Sequence, residues 1–169
     1  MITIRTETPA DQNAVRRLNE RAFEQPAEAG VVDALRTACP DYTGFVAENH
    51  GLVIGHILFT PAVLTHCARV GMGLAPMAVL PEHQRQGIGS KLVRYGLAAL
   101  ERTGYPFVIV LGHPEFYPRF GFEPASRYQL SSQWDNVPDE AFMIRVFDPA
   151  ALPGAPDIAC YREEFNAAM

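Results

Sequence analysis

The chain has 169 residues, 48% of them hydrophobic, which is enough for a substantial core, so we predict a single domain over residues 1–169. A net charge of −5 would repel nucleic-acid phosphates and argues against nucleic acid as a partner. Charged residues or proline interrupt every apolar stretch before the roughly 20 residues that a membrane span needs, so we expect no membrane association. Three widely spaced cysteines favour reduced thiols, and the segment Met1 to Asp11 matches neither a secretory nor a transit peptide, so we expect a cytoplasmic protein.

The first predicted elements are a strand and two helices. Ile2 to Arg5 alternates apolar and polar residues as a half-buried strand does. Thr8 and Pro9 then provide a cap and a first position for a helix that runs to about Phe23. The apolar face of this helix is predicted to contain Ala14, Leu18 and Ala22. A second, shorter helix is predicted from Glu28 to Ala38.

A hairpin and a further strand are predicted next. Two β-rich runs, Thr43 to Glu48 and Leu52 to Leu64, are joined by Asn49-His50-Gly51, a sequence typical of tight hairpin turns, so they should be antiparallel neighbours. Gly73 to Leu80 is another apolar run. Because Pro76 within it cannot donate a ladder hydrogen bond, this strand is expected to be irregular in its middle.

A helix is predicted after the glycine-rich turn that ends at Gly89, running to about Thr103, with Gly104 as its stop. Its apolar face is assigned to residues at helical spacing, namely Ile88, Leu92, Tyr95, Gly96, Ala99 and Leu100. Phe107 to Leu111 is a solid apolar run typical of a strand buried on both faces. This strand and the strand at Gly73 therefore form a crossover unit around the turn.

The remaining elements are short. They are a helical turn near Pro114 to Phe120, a polar loop from Ser126 to Glu140, a strand from Phe142 to Phe147 and an extended segment near Ile158 to Phe165. Helices and strands that follow one another in this way predict an α/β fold.

The turn Gln84-Arg85-Gln86-Gly87-Ile88-Gly89 is a candidate anion site. The first amides of a helix have no intrahelical partner, and glycine lets an anion approach them closely. The phosphate loop of nucleotidases would need Gly-Lys-Ser/Thr where this chain has Gly89-Ser90-Lys91, and the dinucleotide fingerprint would need a glycine in place of Leu92. Both motifs are absent, which leaves either another anion or an ordinary turn into a helix.

Two segments resemble landmarks of the GNAT acetyltransferase superfamily. Met77 to Gly89 resembles the strand, turn and helix start that carry its Arg/Gln-x-x-Gly-x-Gly/Ala signature. Phe116-Tyr117-Pro118-Arg119-Phe120-Gly121-Phe122 resembles the aromatic segment that follows the next strand of the family. The longer stretch Gly112 to Phe122 is similar to the YhbS-like branch, and the resemblance extends over the whole chain.

The resemblance implies an α/β fold of the GNAT type, with a twisted, splayed mixed sheet flanked by helices, and it also implies a cosubstrate. The strands at Met77 and Phe107 would splay apart to leave a cleft for acetyl-CoA, and the acetyl group would pass directly to a primary amine of a small molecule or peptide in a ternary complex. The backbone of Met77 and Val79 would pair with the pantetheine arm, with the Met77 N–H polarising the thioester carbonyl. The implied cofactor-binding residues are Met77, Ala78, Val79, Gln84, Arg85, Gln86, Gly87, Ile88, Gly89 and Ser90. A homodimer is left open.

Candidate catalytic groups follow from the chemistry of acyl transfer. The departing thiolate needs a proton, and the resemblance places the Tyr117 hydroxyl beside the sulfur as general acid; the alternative is a packing tyrosine. Many relatives carry a glutamate base in the cofactor-binding strand, but Gly71 to Met77 contains no carboxylate. Among the candidates Glu82, His83, His113 and Glu115, His113 has the best titration range, and a water chain is an equal alternative. The histidines and cysteines show no metal-ligand spacing, so no metal is expected.

Two rival functions remain at this point. The missing carboxylate favours a non-catalytic sensor or scaffold that binds acyl-CoA without turnover. A hydrolase with Ser90 or Cys67 as nucleophile would need a Gly-x-Ser-x-Gly elbow, which the chain lacks. The acceptor is not identified by the sequence. Asp135, Asp139 and Glu140 near Trp134 suggest a cationic amine, although a charged loop can equally be solvated.

Overall fold

The computed structural model describes residues 1–23 and 27–169. In these two stretches the chain forms three α-helices: α1 (Gln12–Phe23), α2 (Ala27–Ala38) and α3 (Ile88–Arg102). It also forms nine strands: β1 (Ile2–Thr6), β2 (Thr43–Asn49), β3 (Leu52–Leu64), β4 (Arg69–Val79), β5 (Phe107–Leu111), β6 (Glu123–Pro124), β7 (Leu130–Ser132), β8 (Phe142–Val146) and β9 (Asp157–Cys160). The strands pair as a mixed sheet in the order β1-β2-β3-β4-β5-β8-β6, and β9 pairs with β3 and β7. The predicted mixed α/β fold is confirmed.

The described residues divide into two compact units. The first comprises Met1–Thr60, Ala75–Gly96 and Glu163–Met169, and the second comprises Pro61–Leu74 and Leu97–Arg162. The single domain over residues 1–169 stays a prediction. None of the helices in the described residues combines the length and apolarity that a bilayer crossing needs.

In the first unit, β1, β2 and β3 form an antiparallel meander. Ile2 lies opposite Asn49 and Thr43 opposite Phe59. The turn between β2 and β3 has the two positive φ angles of a tight hairpin, 49° at His50 and 79° at Gly51. The predicted hairpin is therefore confirmed.

Helix α1 begins as predicted, although its buried face differs. A 3-10 turn over Pro9–Asp11 precedes it, and the Asp11 carboxylate accepts a 2.8 Å hydrogen bond from the Thr8 N–H. The residues buried on α1 are Val15, Leu18 and Asn19, whereas Ala14 and Ala22 are half-buried. The polar Asn19 is accommodated because its amide donates to the Val15 carbonyl at 3.1 Å, a local bond that apolar spacing does not reveal.

Helix α3 confirms the prediction over its length, but its buried face differs from the predicted one. Gly104, with a φ of 90°, ends the helix as expected. Tyr95 is 40% exposed, and its ring meets Phe45 edge-on at the border of the core. Val93 and Leu97 complete the buried face because they lie beside the Ile88, Leu92, Gly96 and Leu100 row on the helix surface.

In the second unit, the predicted crossover unit is present. β4 and β5 are parallel, with Met72 opposite Val108 and Leu74 opposite Val110. Leu74 and Val110 are the last pair of this ladder. β4 begins at Arg69, earlier than the predicted Gly73. Arg69 and Val70 are both exposed, so this first part of the strand does not belong to the buried apolar run on which the prediction rested.

The C-terminal third contains the largest differences from the prediction. The predicted loop from Ser126 to Glu140 contains the strand β7, which is defined by pairing with β9 and has no alternation of its own. The predicted extended segment near Ile158 to Phe165 is a strand only as far as Cys160 and then forms a 3-10 helix over Glu163–Ala168. The helical turn predicted near Pro114 to Phe120 is a 3-10 helix at Tyr117–Phe120.

Candidate functional site

The glycine-rich turn lies exposed between β4 and α3. It contains two positive φ angles, 60° at Arg85 and 81° at Gly87, which redirect the chain into the helix. A Cβ built at Gly87 would meet nothing within 4 Å. Glycine is therefore suited to this position by its backbone conformation and not by crowding within the protein.

The amides at the start of α3 make this turn a candidate anion site. The Lys91 N–H donates to the Gly87 carbonyl at 3.1 Å, so the amides of Ile88, Gly89 and Ser90 come before the first helical hydrogen bond. The helix dipole adds about half a positive charge at the same end. Arg85 and Lys91 are exposed, and within the described residues neither forms an ion pair. Backbone and side chains thus favour negative charge here.

Two glutamines predicted to bind the cofactor brace the turn. The Gln84 side-chain amide donates to the Val79 carbonyl at 3.0 Å, and that of Gln86 donates to the Glu82 carbonyl at 3.3 Å. Glu82, a candidate base, is ion-paired with Arg21 at 2.9 Å. Hydrogen bonds from its own backbone amide and from the Arg21 guanidinium lower the pKa of Glu82. This pairing gives Glu82 a structural role.

At the end of β4, some backbone amides point toward β3 and others point away from it. The Leu80 N–H donates to the Ile54 carbonyl of β3 at 2.9 Å. Since successive amides along a strand point to opposite edges, those of Met77 and Val79 point away from β3. Ala78 is buried, whereas Met77 and Val79 are half-buried. This segment can therefore present two amides to a ligand.

A buried tyrosine that sequence reasoning missed occupies the end of the β4–β5 ladder. The Tyr161 hydroxyl lies 3.0 Å from the Leu74 carbonyl and 3.3 Å from that of Ile109, and it accepts a 3.3 Å hydrogen bond from the Leu111 N–H. A Cβ at Gly73 would lie 2.5 Å from the Tyr161 ring. A glycine inside an apolar strand, which marks a close approach of another group, was the available signal.

Tyr117, the proposed general acid, lies in the same unit. Its side chain is 7% exposed, and its ring packs edge-on against Phe116 at 5.0 Å and Phe122 at 5.6 Å. Burial raises the pKa of Tyr117 to about 12, so the phenol keeps its proton at neutral pH. Burial chiefly, and to a smaller extent the charge of Tyr117, raise the pKa of Tyr161.

His113 lies in the loop that positions Tyr117. Its backbone carbonyl accepts hydrogen bonds from the amides of Phe116 and Tyr117, at 3.1 and 3.4 Å, while its side chain is exposed. Glu115 is also exposed. His113 and Tyr117 therefore lie in one loop, which the backbone carbonyl of His113 stabilises by accepting these hydrogen bonds.

The buried histidine has a structural explanation. His56 is fully buried, and its Nε2 lies 3.2 Å from Glu7 Oε2, while Glu7 also pairs with the buried Arg36. Burial, together with the charge of Arg36, lowers the pKa of His56 to about 3, so it is neutral. Across residues 1–23 and 27–169, no three His, Cys, Asp or Glu side chains are grouped to hold a metal ion.

Comparison with known proteins decides the family. The family description "acetyltransferase (GNAT) domain" matches residues 40–124. The uncharacterized N-acetyltransferase YhbS of Escherichia coli K12 is 37% identical over 164 residues, covering 96% of this chain and 98% of that protein. The chain belongs to the GNAT acetyltransferase family. The predicted family and its N-acetyltransferase activity are confirmed for this GNAT chain.

Solved structures agree with this GNAT assignment. E. coli YhbS in complex with CoA superimposes with a TM-score of 0.90 at 36% identity, covering 98% of this chain and 92% of that one. A GNAT acetyltransferase from Brucella melitensis in complex with acetyl-CoA has a TM-score of 0.81 at 33% identity, with 98% of both chains covered. The roles of individual residues stay predictions.

Proposed function

We propose that this chain transfers the acetyl group of acetyl-CoA to a primary amine of a small molecule or peptide, by direct transfer in a ternary complex. The observation that carries the proposal is the exposed start of α3, where the amides of Ile88, Gly89 and Ser90 precede the first helical hydrogen bond. Two relatives support the cosubstrate, since E. coli YhbS was solved with CoA and the Brucella melitensis relative with acetyl-CoA.

The anion of the cosubstrate is its pyrophosphate, which the turn from Arg85 to Ser90 would hold. Its pantetheine arm carries amides of its own, which match the outward amides of Met77 and Val79. The Met77 N–H would then polarise the thioester carbonyl and stabilise the oxyanion that forms on attack.

The reaction itself needs little covalent help from the protein. The amine nitrogen bonds to the acyl carbon, the carbon–sulfur bond breaks, one proton leaves the nitrogen and one is added to the thiolate. Tyr117 would supply the second proton, since its raised pKa keeps the phenol protonated. The first would leave through water or the exposed His113, because Gly71 to Met77 contains no carboxylate.

That missing carboxylate is also the observation that favours the second candidate, a sensor or scaffold that binds acyl-CoA without turnover. Both candidates require the cofactor site. They differ only in whether free thiol and an N-acetyl product accumulate.

Matched alanine substitutions at the two ends of α3 test the cofactor site. Gly87 and Gly104 have φ angles of 81° and 90°, and a Cβ at either meets nothing within 4 Å. Alanine in this conformation is strained by about 1–2 kcal/mol at either site. If the pyrophosphate lies on the turn, only G87A should also weaken acetyl-CoA binding, by about tenfold, because the new Cβ stands where the anion approaches the amides.

The measurement is the Kd of acetyl-CoA by calorimetry, with the melting temperature of each variant as the record of strain. We expect G104A to match G87A in melting temperature and the wild type in Kd. Equal Kd values for both variants and the wild type would remove the turn from the cofactor site.

A further inference from the structure

A cavity of about 410 Å³ lies in the second unit, beside β7 and the start of β8. It is lined by polar and aromatic side chains that include Ser126, Ser132, Trp134, Asp135, Asp139 and Phe142. This volume falls within the range of small-molecule sites, roughly 300–1,000 Å³.

The charge of the cavity has one sign. The charged residues that line it, Asp135 and Asp139, are both acidic. Both are exposed, and in the described part of the chain neither carboxylate forms an ion pair. Trp134 lines the same cavity, and an indole ring is the side chain that attracts a cation most strongly through its π face. Two uncompensated carboxylates beside an indole ring therefore favour a positively charged ligand.

A stacked aromatic pair joins this cavity to the end of the β4–β5 ladder, in the same unit as the proposed general acid. The Trp134 ring stacks on Tyr161, with centroids 5.7 Å apart and an angle of 27° between the rings. The Tyr161 hydroxyl lies 3.0 Å from the Leu74 carbonyl, at the end of the β4–β5 ladder. A ligand in the cavity would therefore lie one aromatic pair away from the end of this ladder.

The chemistry of acetyl transfer restricts which part of an acceptor this cavity suits. The attacking amine must lose its proton, and nearby carboxylates would raise its pKa and hold the proton on. The same carboxylates would bind a second group that stays charged throughout the reaction. The reacting nitrogen is therefore better placed outside the cavity.

We propose that the cavity binds the second, non-reacting cationic group of a small acceptor that carries at least two positive charges, such as a linear diamine. Asp135 and Asp139 would balance the charge of that group, and Trp134 forms part of the cavity wall. This inference names the acceptor class of the proposed acetyltransferase and rests on that function.

Three primary amines of one length but different charge test the inference. They are cadaverine, the amino alcohol of the same length and the amino acid of the same length. Thiol release from saturating acetyl-CoA gives kcat and KM for each. We expect the lowest KM for cadaverine, a higher one for the amino alcohol and the highest for the amino acid, and we expect added salt to raise the KM of cadaverine alone.

Neutral substitutions assign the preference to the cavity. D135N and D139N should each raise the KM of cadaverine about 2- to 5-fold, as expected for exposed carboxylates, while kcat and the KM of the amino alcohol stay unchanged. E140Q is the matched control, because Glu140 is an exposed neighbour outside the cavity lining and its change removes the same charge.

The outcomes separate the two levels of the proposal. Equal KM values for cadaverine and the amino alcohol would overturn the inference, as would a preference for cadaverine that persists in the D135N/D139N variant. Neither result would contradict the proposed acetyltransferase function. If acetyl-CoA binds but no thiol is released with any of the three amines, the result counts against both the proposed function and the inference.

Discussion

Tyr117 is the residue on which the proposed chemistry depends most. Y117F keeps a ring that packs against Phe116 and Phe122 but removes the proton donor. Acid assistance is worth about 10²- to 10⁴-fold, and a thiolate leaves readily, so we expect kcat to fall by no more than about 10²-fold. The Kd of acetyl-CoA should not change.

Steady-state kinetics and calorimetry measure the two quantities separately. Y95F is the control, since it removes the hydroxyl of a tyrosine that is 40% exposed and should leave both kcat and Kd unchanged. A weaker Kd with an unchanged kcat in Y117F would identify Tyr117 as a packing residue and leave water or His113 as the donor.

The raised pKa of Tyr117 predicts how its contribution depends on pH. An ordinary phenol is half ionised near pH ~10, whereas burial raises the pKa of Tyr117 to about 12. Because the shift is upward, the acid form persists as the pH rises and is lost only as the pH approaches about 12. The ratio of wild-type kcat to Y117F kcat should therefore stay constant from pH ~8 to ~10. If the ratio instead halves by pH ~10, the pKa of Tyr117 is that of an ordinary phenol.

Individual site residues differ in how far the sequence could predict them. The conformation of the turn from Gln84 to Gly89 was predictable because its spacing is local and free amides at a helix start are general, while its role in binding stays a prediction. Tyr161 was not, because it lies far along the chain from the strands that it joins, and its only local trace is Gly73, where a side chain would collide with its ring.

At the scale of elements, alanine substitutions at two helical glycines are expected to change the stability of the protein in opposite directions. Gly30 in α2 is exposed with nothing within 4 Å of an added Cβ, whereas an added Cβ at Gly96 in α3 would collide with the Phe59 ring. G30A should stabilise the protein by about 0.4–1 kcal/mol through the unfolded state. G96A should destabilise it by about 1–3 kcal/mol through overpacking. Urea unfolding of the two variants measures both signs, and a stabilised G96A would contradict this packing of α3.

Elements with their own periodicity were predictable, and elements defined by a partner were not. α3 has a long amphipathic pattern and β5 is uniformly apolar. Both elements lie at the residues where the sequence predicts them. β6 and β7 have two and three residues, and pairing with β8 and β9 defines them. A short segment without alternation contains no signal of which strand it will join, which explains the error over the loop from Ser126 to Glu140.

At the scale of the whole molecule, the resemblance and the architecture cover the same length of chain. The YhbS relatives align over 96% of the chain and the E. coli structure over 98%, so the family extends through the C-terminal third, where local patterns failed. A cytoplasmic location stays a prediction, and a homodimer is left open by the sequence. The identity of the acceptor depends on how lining residues converge in space, so the sequence could suggest a cationic amine but not the cavity that we propose for it.

The most direct test of the central claim is a stoichiometry. Purified protein is mixed with acetyl-CoA and a diamine, and free thiol and N-acetyl product are quantified together by thiol titration and mass spectrometry. We predict that both accumulate in equal amounts over many turnovers and that omission of the amine stops thiol release. If acetyl-CoA binds but no product forms with a broad panel of amines, the proposed acetyltransferase function is contradicted and the protein is a sensor. Thiol release without N-acetyl product would instead identify a hydrolase.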